Sequence, residues 1–500
     1  MPGALTLWRL EEIVDASGVA EVIEQRLPVG VRPRQLSVRT LLIGILLVIS
    51  DGRPAHLRRV HRALCALGLD DRLRLGVVVQ WKAGSHTLTY RQVERTFSLL
   101  SDALAPKERD GTVSVLCQEV ADALLEASVP PSSKNATSSY AVDWTDVESF
   151  STRRRVQGAY NDPDASWGHR KGGGPGEKDD LFFGYYLQLA TMIHDEEGAK
   201  VPELARRMAL SSCHVDPPPA FVGVLEAMAA SGVALGDVIV DAGYAHRVPE
   251  HWALPLRRIW AELVMDLHPS DRGLQGTFAG ALCHNGNLYC PATPRPLFDL
   301  APLAKGADRD TTQAHDARAA ELAHYKLGRS SAPDADGYQR VSCPAALGKV
   351  RCPLRQGSMA LGYGRTEISQ PPVHRPPCCS QRTITVPPSV NAKTAQKHDY
   401  PSSAHRRSYA RRSAAERSNA TIKDPASTDI ARGWCRVMGI TPMTLLLTCA
   451  LVVRNLRVVD SFETRRAEDQ RRAAAGLGPK SRRRRRKTIS DLLGAAEAPP

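Results

Sequence analysis

The 500-residue chain has no apolar run long enough to cross a membrane. Its longest, Leu41 to Ile49 and Met443 to Val453, are the length of core helices, against roughly eighteen residues for a span. An N-terminal charged stretch followed by an apolar one is also missing, so no secretory signal is expected. Cysteine is too sparse for a disulfide scaffold, at eleven residues, and without a signal the expected compartment is a reducing cytoplasm. Lysine is scarce as well: 14 of the 66 basic residues, leaving 52 arginines. No internal repeat is visible. With 42% hydrophobic and 24% charged residues, wholesale disorder is excluded.

What is there is length, roughly three domains' worth, and a formal net charge of +13. Arginine suits planar, bidentate contact with phosphate, although base composition of a genome also enriches it. The balance favours a nucleic-acid partner over an acidic small molecule.

Residues 1 to 130 read as a helical domain. Ser37 can cap a helix through Val38–Ser50, stopped by Gly52-Arg53-Pro54. A second helix, His56 to Leu67, carries Leu57, Val60, Leu64 and Leu67 on one stripe, with Arg58, Arg59 and Arg62 displaced from it. A third starts at Thr89, whose capping box is completed by Gln92, and leaves Arg91 and Arg95 exposed. These helices either lie against DNA through their arginines or are a small helical unit with solvated faces.

Pro130-Pro131-Ser132-Ser133 marks a linker. From 136 to 270 strands dominate: Tyr140–Thr145, then Leu181–His194 as two strands bent at Gly184, a helix around Ala220–Ser231, and strands Asp237–Val240 and Leu263–Leu267. This β-β-β-α-β order predicts an α/β fold with a mixed sheet flanked by helices, and a loop or flap over 161–180 beside the site.

Between 271 and 400 proline and glycine are frequent and six cysteines collect: Cys283, Cys290, Cys343, Cys352, Cys378 and Cys379. The pairs Cys283/Cys290 and Cys343/Cys352 are wider than the common C-x₂₋₄-C knuckle. Reduced, half-buried thiols are the expected state; the alternative is a structural Zn²⁺ shared with Cys378, Cys379 and His284 or His374. Helical signals return over 401–458, from Pro401 to Pro425 and from Asp429 to about Leu456. The last forty residues, 461–500, hold eleven Lys/Arg against five Asp/Glu and read as a disordered basic tail that includes Arg482–Lys487.

Three acids are candidates for chemistry. Asp143 lies in Tyr-Ala-Val-Asp-Trp-Thr, in the C-terminal half of a strand, and Asp241 follows Val-Ile-Val and precedes Ala-Gly-Tyr. Acids on neighbouring strand ends can bind hard divalent cations, though a strand-ending Asp is commonly a helix cap. Asp146, Glu148, Asp237 and Asp266 compete. The third, Glu416, sits in a helix predicted from Ala404 to Lys423. At 100° per residue, seven steps return to within about 20°, so Tyr409, Glu416 and Lys423 line one stripe, with Arg412 about 40° from Glu416. An acid among a phenol, a guanidinium and an ammonium suits a metal-bound carboxylate beside phosphodiesters; the bland alternative is a solvated face of routine ion pairs.

Tyr409, Arg412, Glu416 and Lys423, at that spacing, resemble the Tyr-Arg-Glu-Lys signature of DDE-type insertion-sequence transposases, and Asp143 and Asp241-Ala-Gly-Tyr resemble the family's first two acids. The resemblance spans about residues 140–455. It departs from the family at Trp144, where many relatives carry a small residue, and in the cysteine-rich insertion. It implies a ribonuclease H-like catalytic fold with a mostly β insertion between Asp241 and Glu416. It implies two divalent ions, Mg²⁺ or Mn²⁺, bound by Asp143, Asp241 and Glu416 for in-line phosphoryl transfer. Tyr409, Arg412 and Lys423 would hold the phosphates of a transposon end, and Arg58, Arg59, Arg62 and Arg91 would be the DNA-binding residues of the N-terminal helices. The expected partners are double-stranded DNA, both transposon ends and target, and a second copy of the chain when two ends are paired, in a bacterial cytoplasm on the nucleoid. The alternatives are a catalytically decayed DNA-binding relative and a same-fold metal-dependent nuclease. About +6 of the net charge lies in 461–500, so bulk charge points poorly to the chemistry.

Overall fold

The computed structural model describes residues 5–28, 34–81, 84–151, 160–170, 180–304, 306–362, 364–424, 428–478 and 480. It is an α/β protein with a mixed sheet flanked by helices. The N-terminal part contributes helices α1 (Leu7–Ser17), α2 (Val38–Ser50), α3 (Leu57–Cys65), α4 (Tyr90–Leu104) and α5 (Val115–Ala127), with a hairpin of Val78–Trp81 and Gly84–Thr87 among them. Ser37 caps α2 through the Thr40 N–H at 3.1 Å, and Thr89 and Gln92 close the capping box of α4. Each satisfies donors that a helix start leaves open.

The sheet is built from β1 (Ser139–Glu148), β2 (Ser166–Arg170), β3 (Asp180–Ile193), β4 (Ala205–Ser212), β5 (Asp237–Val240) and β6 (Glu262–Met265). β3 pairs antiparallel with β1 on one side, and with β4 and then β2 on the other. β1 pairs parallel with β5, and β5 parallel with β6. α6 (Pro217–Ala230) makes the crossover between β4 and β5. The stretch read as two strands bent at Gly184 is the single strand β3. Gly184 is needed for approach rather than bending: a Cβ there would stand 2.1 Å from the Val147 carbonyl oxygen. The expected loop over 161–180 contains β2, and residues 171–179 of it lie outside the described residues.

β4 has no counterpart in the sequence reading, because two successive arginines argue against a buried strand. Arg206 and Arg207 are nonetheless 2% and 5% exposed. Glu126 on α5 receives both: Arg206 donates Nε and Nη2 at 3.1 and 3.0 Å, and Arg207 donates Nη1 at 3.1 Å. The outer edge of β4 is closed by Asn455, which accepts from the Ala205 N–H at 2.9 Å and donates to its carbonyl at 2.8 Å. A buried edge strand needs such partners.

After β6, α7 (Ser403–Ala410), α8 (Ser413–Lys423) and α9 (Ile440–Ala474) follow a long insertion. The insertion holds two three-stranded antiparallel sheets, Leu274–Phe278 with Ala281–His284 and Asn287–Tyr289, and Gly328–Arg329 with Gln339–Ser342 and Ile384–Val386. Three readings of this part change. The single helix expected over 404–423 is interrupted at Arg411–Arg412, and the helix expected from 429 starts at Ile440. Residues 461–474, expected to be disordered, extend α9 as helix, while Arg482–Lys487 lie outside the described residues.

Against the expectation that no apolar stretch is long enough to cross a membrane, α9 has an 18-residue window of mean hydropathy 1.5 that is long enough, though 78% of it is buried inside the protein. It packs in one continuous core with α1, α2, α4, α5 and the β3–β4 face, through Leu446, Ala450 and Val453 against residues such as Leu10, Leu42, Leu124 and Met208. Residues 1–130 therefore have no core separate from the rest. Glu126→Ala removes the carboxylate shared by two buried guanidinium groups, leaving Arg207 with Asp122 at 3.8 Å and Arg206 with the Lys134 carbonyl, and is expected to cost about 3 kcal/mol. The check is the urea midpoint of the variant beside the parent chain.

Candidate active site

Parallel pairing sets the first two acids side by side. Ala141 is in register with Ile239, so two residues further along each strand stand Asp143 and Asp241. Asp143 is 8% exposed, and its Oδ1 accepts the Trp144 N–H at 3.0 Å. Asp241 is indeed a helix cap: its Oδ1 accepts the N–H groups of Gly243 at 2.9 Å and Tyr244 at 3.4 Å. In both residues the other oxygen, Oδ2, is left to face α8. Gly243 is obligatory at this turn, since a Cβ would lie 2.7 Å from Trp144 Cη2. The Trp144 ring rests on Tyr244 with centroids 4.6 Å apart. Trp144 therefore walls the site rather than displacing Asp143 from it.

α8 lies on the sheet through Ala414 and Ala415, which pack on Ala141, Ile239 and Val264. Small residues there let the helix approach the strands closely. The break before it has a physical cause. Arg411 turns inward, 5% exposed at its side chain, and donates to Asp237 at 2.6 Å, Glu196 at 3.2 Å and the His194 carbonyl at 3.1 Å. To allow this, the backbone tightens to i→i−3 bonds, with Arg412 N–H to Tyr409 O at 2.9 Å and Ala415 N–H to Arg412 O at 2.9 Å.

Arg412 then enters the space between the acids. Its guanidinium lies 3.5 Å from Asp143 Oδ2, 3.5 Å from Asp241 Oδ2 and 2.8 Å from Glu416 Oε1. Three carboxylates from two strands and one helix thus meet on one cation. Burial pushes the Asp143 carboxyl up to about 7 against the downward pull of Arg412, and the charges of Asp241 and Glu416 add smaller upward pushes. Asn419, three residues after Glu416 on the same helix, donates to Asp143 Oδ2 at 3.2 Å. It was missed in the sequence, where its only signal is that i,i+3 spacing. The Asn419 Oδ1 and the Arg412 Nε are buried without a hydrogen-bond partner.

The competing acids are each engaged elsewhere. Asp146 takes Lys423 at 2.7 Å and Arg170 at 2.6 Å, and Glu148 takes Arg170 at 2.6 Å. Asp237 holds Arg411 and Lys397, and Asp266 accepts Tyr400 at 2.7 Å. Lys423 is thus set one acid away from Glu416, on Asp146. Tyr409 stacks on His405, ring centroids 5.6 Å apart, and burial raises its phenol above the ordinary range. Hard oxygen donors on three converging carboxylates are the right chemistry for Mg²⁺ or Mn²⁺, and Arg412 marks where positive charge is tolerated.

Of the N-terminal candidates, Arg58, Arg59 and Arg62 line one cleft of about 460 Å³ with Tyr90 and Arg436. Arg58 lies over the Tyr90 ring at 5.3 Å. Arg91, exposed on α4, is not among the residues lining this cleft.

Comparison with models of protein families, with curated proteins and with solved structures finds no match to this chain.

Because the folded chain holds Asp143 protonated up to about 7, against 3.8 for an ordinary Asp, the protein without metal loses stability as pH rises between those values, by roughly 4 kcal/mol. Asp143→Asn removes that dependence. In EDTA the variant is expected to melt above the parent at pH 8, with the gap closing toward pH 5. Parallel melting temperatures at both pH values would contradict this account.

Proposed function

We propose that the chain is a DDE-type insertion-sequence transposase whose sheet domain is ribonuclease H-like. The observation that carries the reading is the meeting of Asp143, Asp241 and Glu416 on the Arg412 guanidinium. Its support is chemical. Asp143, Asp241 and Glu416 share Arg412 as their one cationic partner among the described residues, while the competing carboxylates are spent on other ion pairs or hydrogen bonds.

Asp143, Asp241 and Glu416 would hold two Mg²⁺ or Mn²⁺ ions, which supply an activated water or 3′-hydroxyl and stabilise the leaving oxygen. Arg412, released from the acids when cations bind, is in place to take a scissile phosphate through its planar fork. Asn419 fixes the carboxylate of Asp143, and Trp144 with Tyr244 keeps water from its buried side. Tyr409, stacked and protonated, serves as a wall and hydrogen-bond donor rather than a nucleophile. The cleft of Arg58, Arg59 and Arg62 contributes contacts to the DNA backbone, with Arg91 beside it, and two protomers pair two ends. The protein would act on the nucleoid in a bacterial cytoplasm.

The test is purified protein with Mg²⁺ and labelled DNA carrying the inverted repeats that flank the gene. Joined products are expected. Cleavage without joining would point to a nuclease, and binding without either to a decayed relative. Asp143→Ala, Asp241→Ala and Glu416→Ala are each expected to cut strand transfer at least about a hundredfold while leaving DNA binding intact. Intact transfer in all three would overturn the assignment.

Replacing Arg58, Arg59 and Arg62 together by Ala is expected to weaken binding across DNA sequences and to flatten its salt dependence by up to about 3 in slope. Gel-shift titrations at several salt concentrations measure this.

A further inference from the structure

The insertion's cysteines take no part in the DNA chemistry, yet their placement is ordered. All six are buried free thiols. Three are each followed by proline in a turn closed on the cysteine's own carbonyl: Thr293 N–H to Cys290 O at 3.0 Å, Leu347 N–H to Cys343 O at 3.2 Å, and Arg355 N–H to Cys352 O at 2.9 Å. In two of these turns backbone N–H groups also face the sulfur, from Ala292 to Cys290 and from Leu354 and Arg355 to Cys352. These N–H groups favour the thiolate, although burial raises both thiols overall.

These turns converge. Burial pushes the Cys290 thiol up to about 12, and Cys343, Cys379 and Cys352 stand near enough to add to that rise. Cys352 likewise has Cys343 and Cys379 as neighbours. Cys379 comes from the short helix Pro377–Ser380, with Cys378 Sγ 3.9 Å from its own Sγ, and its thiol is shifted downward by that contact. The apolar clusters around them are small and divided, one holding Cys290, Cys343 and Cys352, the other Cys378 and Cys379. Lobes with so little core normally depend on a staple.

We propose that Cys290, Cys343, Cys352 and Cys379 bind one structural Zn²⁺ as four thiolates, joining the two small sheets of the insertion. Four soft sulfurs select zinc over the hard ions that suit the carboxylates. Among the described residues the one set of three ligand atoms already within 4.8 Å of one another is His246, His268 and Asp271. No three of the four sulfurs lie within 4.8 Å of one another, so zinc would have to draw them together from turns that set Cys290, Cys343 and Cys352 in one apolar cluster. The His/Asp set is the weaker candidate, because Lys393 already holds Asp271 at 2.8 Å and Ser270 holds His268 at 2.7 Å.

The experiment uses the full chain, purified reduced and without a histidine tag. One zinc per chain is expected by elemental analysis. Cys290→Ser, Cys343→Ser, Cys352→Ser and Cys379→Ser should each lose most of it, whereas Cys283→Ser, Cys378→Ser and Asp143→Ala should keep it. Since a cysteine variant can fail to fold, the unmutated chain carries its own test. Its Co²⁺-substituted form should show thiolate-to-cobalt charge-transfer absorption. Alkylation read by mass spectrometry should find these four thiols protected until a chelator is added. Absence of bound zinc in the parent chain, absence of charge transfer, or full zinc retention in the fourfold serine variant overturns the proposal. Loss from Cys378→Ser with retention in Cys379→Ser overturns the choice of fourth ligand.

Discussion

Three ionised carboxylates in one small site repel one another unless a cation or a retained proton offsets their charge. Two unit charges about 4 Å apart repel by about 4 kcal/mol at the effective dielectric of a protein surface. In this fold the cation is the Arg412 guanidinium, bonded to Glu416 and within 3.5 Å of Asp143 and Asp241. The rest of the site follows from that requirement. The parallel pairing of β1 with β5 brings the two aspartates together, and Ala414 and Ala415 let α8 come near enough to deliver Glu416.

Arg412 is where it is because of Arg411. Arg411 is anchored by Asp237 and Glu196, two acids outside the cluster. Its inward turn tightens the backbone, and the tightened turn presents Arg412 to the acids rather than to solvent. Neighbouring arginines thus divide the work: one is buried in structural ion pairs, the other sits over carboxylates that have no other counter-charge. A cation held this way is replaceable. On the proposed function, divalent ions would bring more charge to the same oxygens, and the guanidinium would remain beside them for a phosphate diester.

Much of this was legible in the sequence where local chemistry decides the outcome. Ser37 and the Thr89/Gln92 box mark helix starts because a cap is a contact between near neighbours. β5 was read at its observed limits because Asp237–Val240 is short, β-branched and followed by a capping Asp. The misreadings are tertiary. Arg206 and Arg207 deny a strand by propensity, and distant partners, chiefly Glu126 some eighty residues earlier, make the strand possible. The break at Arg411 has no Gly or Pro to announce it; its cause lies on β5 and in the loop after β3. Residues 461–474 look like a charged tail by composition, but they are continuous with a helix whose first half is core. Asn419 could have been found only after Glu416 was.

On the proposed function, the long helix α9 and the segment before it would link the arginine cleft to the acid cluster. Its apolar half packs on N-terminal helices and on the β3–β4 face in the same core. His56, at the start of α3, meets the Gly433 carbonyl at 3.0 Å, and Arg436 joins Arg58, Arg59 and Arg62 in their cleft. The arginine cleft is therefore built partly from the segment that leads out of α8, the helix carrying Glu416. A phosphate backbone gripped there would be held by the same stretch of chain that follows the third acid's helix. Cores of this kind are close-packed and transmit displacement rather than absorb it. DNA seated in the cleft would thus be registered against Asp143, Asp241 and Glu416 by packing, with no need for a separate, flexibly tethered reading domain.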